Sequence, residues 1–111
     1  MVKTFKYSVK EPSFTLIKNG IKKIEGRVYK NSFRNIKIND IIIFYNNKIN
    51  YQVHVIKINK YNNFKNMLLA EGIKNVTPLS NNLEESIAIY RNLYSEDIEK
   101  KFGVISLRIN N

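Results

Sequence analysis

The chain has 111 residues, enough for one domain with a modest core, and 43% are hydrophobic against 25% charged, a balance typical of a folding chain. It has no cysteine and one histidine, which excludes a disulfide framework and a zinc site of the usual kind. No apolar run is long enough for a signal peptide or a membrane span, so we expect an intracellular, cytoplasmic protein. No metal and no cofactor are expected.

The formal net charge of +10 has two interpretations. Basic proteins often bind polyanions, because each phosphate that a Lys or Arg neutralises releases a counterion. Codon usage is the other interpretation: Lys, Asn, Ile, Tyr and Phe have A/T-rich codons and make up more than half of the chain. An A/T-rich genome, microbial or viral, would enrich them without any functional reason. The charge therefore favours a nucleic-acid partner without establishing one.

The predicted elements follow one another without a linker, a repeat or a low-complexity segment. Turn residues, apolar alternation and helical periodicity mark their bounds. In chain order, we predict a strand over 3–9, a short helix from Glu11-Pro12 to Asn19-Gly20, strands over 21–29, 41–45 and 49–58 with a bulge at Val55-Ile56, a short helix over 64–70, a helix after Pro78 with Asn81 and Glu84 as its capping box, and a strand over 104–109.

Together these elements predict a single domain over residues 1–111 with an α+β fold. The segment 41–45 is apolar on both faces, as expected for a central strand of a closed sheet. The sheet would have about five or six strands, curled into a small barrel, with about three helices across its openings. In the last of these helices, an apolar face of Leu83, Ile87, Tyr90 and Tyr94 is expected in the core.

The segment from Gly20 to Arg27 carries the candidate site. Glycine ends a helix, and the strand that follows bears Lys22, Glu25 and Arg27. A strand places Glu25 and Arg27 on one face, and Gly26 between them leaves room for a strand or ligand to approach. A carboxylate between two cations can hold a guanidinium in place or orient a water. On spacing alone, a surface ion-pair network is the simpler interpretation.

The pattern G-x-K-x-x-E-x-R at a helix-to-strand junction resembles the ASCH domain, a member of the PUA-like superfold. Further segments are similar to the family in kind and position, so the resemblance covers nearly the whole chain. These segments are 11–14, 39–44, 67–72, the turn at Pro78, 90–94 and 103–105.

The resemblance implies a small β-barrel flanked by helices, with the motif on the floor of a cleft that binds RNA or a modified nucleotide. Lys22 and Arg27 would contact phosphate or a base edge, and Glu25 would accept hydrogen bonds from a base or hold Arg27. Independently of the resemblance, Tyr29, Phe33 and Arg34 follow the motif, and aromatic and guanidinium groups at the mouth of a cleft could stack on a base. A core position is the simpler interpretation of Phe33. RNA or a modified nucleoside is thus the expected partner; no membrane partner and no particular oligomeric state are predicted.

An amidohydrolase is the alternative function. Some bacterial family members look like deacylases of N4-acylated cytidine nucleosides that use a Lys, a Thr and a Glu. Matched by motif, these positions are Lys22, Glu25 in place of the threonine, and Glu71. In such an enzyme Glu25 would activate water, Lys22 would stabilise the oxyanion and Glu71 would deliver the proton to the cytidine N4. A ribonuclease and a regulatory protein-binding module also remain open. His54, the single histidine, is expected to have a structural role.

Overall fold

One curled sheet of five strands organises the protein, and the computed structural model describes all of residues 1–111. Its strands lie in the order β1-β3-β4-β5-β2. The edge strands β1 and β2 do not pair with each other, so the sheet forms a half-barrel rather than a closed barrel. The strands are β1 (Thr4–Ser8), β2 (Ile24–Val28), β3 (Ile41–Asn46), β4 (Ile49–Tyr61) and β5 (Val104–Ile109).

The long strand β4 joins the two halves of this sheet. Its first half pairs antiparallel with β3 and its second half antiparallel with β5, and the register shifts between Val55 and Lys57. A bulge bends a strand and increases its twist, which lets one strand serve both halves. The bulge predicted at Val55-Ile56 is confirmed. The remaining pairs are β1 with β3, which is parallel, and β2 with β5, which is antiparallel.

Five α-helices surround the sheet, which confirms the α+β class. They are α1 (Ser13–Lys18), α2 (Phe64–Glu71), α3 (Ile73–Val76), α4 (Leu83–Leu93) and α5 (Glu96–Phe102), with a 3₁₀ helix over Asn31–Asn35. The sequence patterns indicate about three helices, and the structure adds α3 and α5. None of the helices is long and apolar enough to cross a membrane.

The N-terminal cap of α4 lies one residue later than the sequence pattern indicates. The side chain of Asn82, rather than Asn81, accepts a hydrogen bond from the Glu85 amide at 2.9 Å. Glu85 in turn accepts a hydrogen bond from the amide of Asn81 at 3.1 Å. The predicted capping box of Asn81 and Glu84 is therefore replaced by a similar pair of hydrogen bonds one residue later, in which Asn82 and Glu85 are the side-chain acceptors.

The two faces of β2 and β5 belong to two separate cores. Inside the half-barrel, Ile105 and Leu107 of β5 pack with residues of α1, β3 and β4. On the other face, α2 and α4 cover Ile24 and Val28 of β2. Since both faces are covered, the parity of a residue on β2 decides which of the two environments its side chain enters.

Gly26 faces the outer, helix-covered side. A Cβ at this position would lie 2.7 Å from the side chain of Met67 and 3.0 Å from the hydroxyl of Tyr90. The close approach expected at this glycine is therefore made by side chains of α2 and α4, not by a strand or a ligand.

Candidate functional site

The charged residues of β2 point towards the inside of the half-barrel. Glu25 pairs in register with Leu107 and Arg27 with Ile105, and both partners belong to the inner core. Residues directly opposite each other on paired strands share a face of the sheet. Because β2 is an edge strand, the two charged side chains lie at the open border of the half-barrel, where a cleft begins.

Glu25 is held between two cations. Its Oε1 lies 3.8 Å from the Nζ of Lys22, and its Oε2 lies 3.5 Å from the Nη2 of Arg27. Lys22 also donates a hydrogen bond to the carbonyl of Val76 in α3. The side chains of Lys22, Glu25 and Arg27 are 5%, 9% and 22% exposed. The surface ion-pair interpretation is therefore excluded, because this network is largely buried.

The balance between burial and the charge of Glu25 differs for the two cations. It lowers the pKa of Lys22 below its ordinary value, and Glu25 opposes this shift only in part. Burial also disfavours the charge of Arg27, but the neighbouring carboxylate of Glu25 outweighs it and raises the pKa of the guanidinium. Arg27 is thus a permanent cation, whereas the charge of Lys22 depends on the presence of Glu25.

Two aromatic rings hold the guanidinium of Arg27 from the other side. Its Cζ lies 5.3 Å from the ring centre of Phe33 and 5.8 Å from that of Tyr7. The two rings stack with their centres 4.3 Å apart, and the Tyr7 hydroxyl is hydrogen-bonded to Ser32 at 2.7 Å. A guanidinium between a carboxylate and two rings is fixed in place before a ligand arrives.

Lys22, Glu25 and Arg27 form the floor of a cleft of about 510 Å³. The end of β1, the start of α1, α4 and the segment between α3 and α4 form its walls. At its rim the apolar side chains of Leu79, Ile89 and Leu93 are exposed, with Leu79 at 65% and Leu93 at 62%. A charged floor below an apolar rim suits a ligand that has both a polar edge and an apolar face.

One hydroxyl in the cleft wall has no partner. Ser80 is only 3% exposed, and its Oγ makes no hydrogen bond. The nearby hydroxyl of Thr77, also in the wall, is paired with Ser86 at 2.6 Å. Buried polar groups in proteins are nearly always satisfied. The Ser80 hydroxyl is therefore an exception, a buried polar group that no other protein group satisfies.

Glu71 does not join this site. Its Oε2 accepts hydrogen bonds from Tyr61 at 2.6 Å, from Ser106 at 2.7 Å and from Asn59 at 3.0 Å. Ser106 pairs in register with Gly26, so Glu71 lies on the face of the sheet opposite to Glu25. Burial alone would raise the pKa of Glu71, but these three hydrogen bonds, with the charge of Lys57, bring it below its ordinary value. The carboxylate is thus held in its charged form within a structural network.

Tyr29 and Arg34 also lie outside the cleft. The guanidinium of Arg34 is 5.6 Å and the ammonium of Lys60 4.4 Å from the ring centre of Tyr29. Tyr29 and Lys60 line a second concavity, beyond the end of β2, and Arg34 lies at its border beside Tyr29. His54 is exposed on β4, and its backbone amide donates a hydrogen bond to Asn110 at 2.6 Å. No group of three or more histidine or carboxylate side chains is placed to hold a metal ion.

Of the three residues that follow the motif, Phe33 does reach the site, where it contacts Arg27. The sequence patterns did not identify Tyr7 or the wall residues Thr77 and Ser80. Each comes from an element far from β2 in the chain, and none belongs to a recognisable pattern. Only the turn at Pro78, between two helical segments, indicated that this part of the chain could approach the site.

The curled half-barrel with a charged cleft at its edge strand places the protein in the PUA-like class. The family model of the ASCH domain matches residues 8–111, and the chain belongs to this family. The resemblance carried by the G-x-K-x-x-E-x-R pattern is thereby confirmed.

Two solved structures are similar over almost the whole chain. The crystal structure of hypothetical protein PH0355 has a TM-score of 0.90 and 44% sequence identity, covering 96% of this chain and 97% of that one. The solution NMR structure of protein PF0455 from Pyrococcus furiosus has a TM-score of 0.80 and 41% identity, covering 96% of both chains. No curated protein matches the chain.

Proposed function

We propose that the protein binds RNA or a modified nucleotide through the cleft above Lys22, Glu25 and Arg27. The observation that carries the proposal is the burial of these three charges at the floor of an open cleft. Transferring charges out of water costs several kcal/mol per ion, and a buried pair seldom stabilises a fold more than apolar residues would. Fold stability is therefore a poor reason for such a network, and perturbed ionisable groups in a cleft are typical of functional sites.

The exposed fraction of Arg27 supports a contact with the ligand. Its guanidinium has five donors and is partly open to the cleft, so it can bind a phosphate or a base edge in a bidentate manner. Glu25 fixes its orientation and can accept a hydrogen bond from a base amino group. Lys22 contacts Glu25 and Val76 at the floor of the cleft, and Ser80 offers the unpaired hydroxyl.

The size of the cleft favours a single nucleotide. A volume of about 510 Å³ lies within the range typical of small-molecule sites. It is too small for a duplex. The apolar rim formed by Leu79, Ile89 and Leu93 can cover the face of one base. We therefore infer that the ligand is a single-stranded or extruded nucleotide, whose edges are open to hydrogen bonding.

The test is the binding of a labelled single-stranded RNA, measured by fluorescence anisotropy over a range of salt concentrations. Arg27→Ala should weaken binding roughly 10-fold or more, because a hydrogen bond to a charged group contributes about 1.5–3 kcal/mol. Arg27→Lys should recover only part of the affinity, since it restores charge but not bidentate geometry. Lys48→Ala is the control, since Lys48 is exposed in the turn between β3 and β4. Equal losses in Arg27→Ala and Lys48→Ala would mean that general charge, not the cleft, binds RNA.

An amidohydrolase is the second candidate. It is supported by the contact of the Glu25 carboxylate with Lys22, whose pKa burial lowers, because a carboxylate next to a lysine in a cleft can activate water. The position of Glu71 weighs against it. With Glu71 on the other face of the sheet, the cleft lacks the group that was assigned to protonate the leaving amine.

A further inference from the structure

A second concavity lies where β2 and β4 end and β5 begins, next to α5. It has a volume of about 670 Å³, and Tyr29, Lys60, Lys101 and Phe102 are among the residues that line it. We call it the basic groove. It has no lining residue in common with the cleft.

Cations of the basic groove and its border lie over two aromatic rings. The ammonium of Lys60 and the guanidinium of Arg34 lie 4.4 and 5.6 Å from the ring centre of Tyr29. The ammonium groups of Lys101 and Lys30 lie 5.3 and 5.6 Å from the ring centre of Phe102. The positive charges are thus interleaved with aromatic faces.

These cations are not neutralised within the protein. The three ion pairs of the chain involve Lys22, Arg27 and Arg91, and none of them includes a cation of the basic groove. Two carboxylates line the groove. Glu99 is buried and engaged with Arg91 and the amide of Phe64, and Glu96 is exposed in the first turn of α5. The groove therefore presents a net positive surface with free donors.

The chemistry of the basic groove fits a single RNA strand. Proteins that bind single strands combine cations that follow the phosphates with aromatic rings on which bases stack. A membrane surface fits less well, because interfacial binding also needs apolar side chains that insert among the lipids. None of the large exposed hydrophobic residues of the chain lines this groove.

The register of the sheet connects the basic groove to the cleft. Lys60 of β4 and Arg27 of β2 pair with opposite sides of the same residue, Ile105. All three therefore lie in one row on one face, and two strand spacings of about 5 Å separate Lys60 from Arg27. Tyr29 follows Arg27 by two residues, about 7 Å along the chain direction. One RNA strand could therefore reach both places.

We propose that the basic groove is a second RNA-contact site, which binds the phosphates and a base next to the nucleotide held in the cleft. This inference rests on the proposed function of the cleft. It assigns Tyr29 and Phe102 as stacking surfaces, and Lys60, Lys101, Lys30 and Arg34 as phosphate contacts. The cleft selects a nucleotide, and the basic groove adds affinity for the strand that carries it.

The experiment compares two double charge reversals. Lys60→Glu/Lys101→Glu alters the basic groove, and Lys18→Glu/Lys48→Glu makes the same charge change at exposed positions of α1 and the β3–β4 turn. Binding of a single-stranded RNA decamer is measured by anisotropy at several salt concentrations. We expect the groove variant to bind at least 10-fold more weakly than the control variant. For the groove variant, the slope of log affinity against log salt concentration should be smaller in magnitude by about 1.4. Two phosphate contacts are lost, and each contact with a single strand contributes about 0.7 to the slope.

A mononucleotide probe separates this inference from the function of the cleft. Cytidine 5′-monophosphate is titrated into the labelled protein, and shifts of the backbone amides of Lys22 and Arg27 are followed by NMR. Equal decamer affinity in both double variants, with normal mononucleotide shifts, would overturn the groove and leave the cleft. Selective loss of decamer binding in the groove variant, without mononucleotide shifts in any protein, would support the groove and contradict the cleft. Binding to vesicles containing phosphatidylserine, without binding to the decamer, would overturn the inference.

Discussion

The carboxylate of Glu25 lies 3.5 Å from the guanidinium of Arg27, two residues further along β2, and both side chains face the inside of the half-barrel. Lys22 approaches the other carboxylate oxygen at 3.8 Å from the turn before the strand. One nearly buried anion therefore stabilises two cations. Glu25 is the only carboxylate paired with either cation.

Removal of Glu25 should destabilise the protein more than removal of the whole Lys22–Glu25 pair. Glu25→Ala leaves two cations side by side, and breaking a buried pair in this way costs about 3–5 kcal/mol. The double variant Lys22→Met/Glu25→Leu should lose less, because it leaves no buried lysine charge. Urea unfolding at pH 7 gives both values. Glu84→Ala, at an exposed position of α4, is the control and should lose less than about 1 kcal/mol. Equal losses in Glu25→Ala and Glu84→Ala would contradict the energetic role of the cluster.

Two buried serines should respond in opposite ways to substitution by alanine. Ser80→Ala removes a hydroxyl without a partner, so the free energy of unfolding should stay the same or rise. Ser86→Ala removes a buried hydroxyl that is hydrogen-bonded to Thr77 and to the carbonyl of Asn82. It should lower the free energy of unfolding by about 1 kcal/mol, the net contribution of a hydrogen bond, because Thr77 keeps its bond to the carbonyl of Ile73. Only Ser80→Ala should weaken the binding of single-stranded RNA without loss of stability. Unchanged RNA affinity in Ser80→Ala would remove this hydroxyl from the proposed binding site.

Glu71 should stabilise the fold in a pH-dependent manner. Because its folded pKa lies below the ordinary value, its contribution is present above the ordinary pKa of about 4.3. It is lost as the pH falls through the lowered folded pKa. Glu71→Gln should therefore be less stable than the original protein at pH 7, with a smaller difference at pH 3. Urea unfolding at both pH values checks this result. Glu84→Gln should show a much smaller change, and a constant Glu71→Gln deficit would refute the linkage.

The protein should not hydrolyse N4-acetylcytidine. Glu25 stands where the family resemblance implies a threonine, and Glu71 faces the opposite side of the sheet. The cleft therefore lacks the threonine at the motif position and the proton donor assigned to that reaction. Chromatography of N4-acetylcytidine incubated with the protein should show no cytidine above the buffer control. Turnover that disappears in both Glu25→Gln and Lys22→Ala would favour the amidohydrolase over the binding protein.

The period-two pattern of strands explains why part of the site could be predicted from the sequence. Glu25 and Arg27 share a face because they are two residues apart on one strand, and the structure agrees. The same local rule located the bulge after Val55. It did not predict the place of Glu71, because the rotation of α2 against the sheet decides which face its C-terminal residue reaches. That rotation follows from the packing of Met67 and Leu68 in the outer core.

The sequence by itself determined the α+β class, the ASCH family resemblance and the shared face of Glu25 and Arg27. These depend on local periodicity and on short patterns whose order along the chain can be read directly. Only the tertiary structure decided that Ser80 lies in the wall of the cleft and that Tyr29 lines a separate groove, with Arg34 beside it. The physical reason is that an edge strand offers its charged face to whichever distant segments pack beside it. Those contacts arise from the packing of whole elements, which no spacing along the chain encodes.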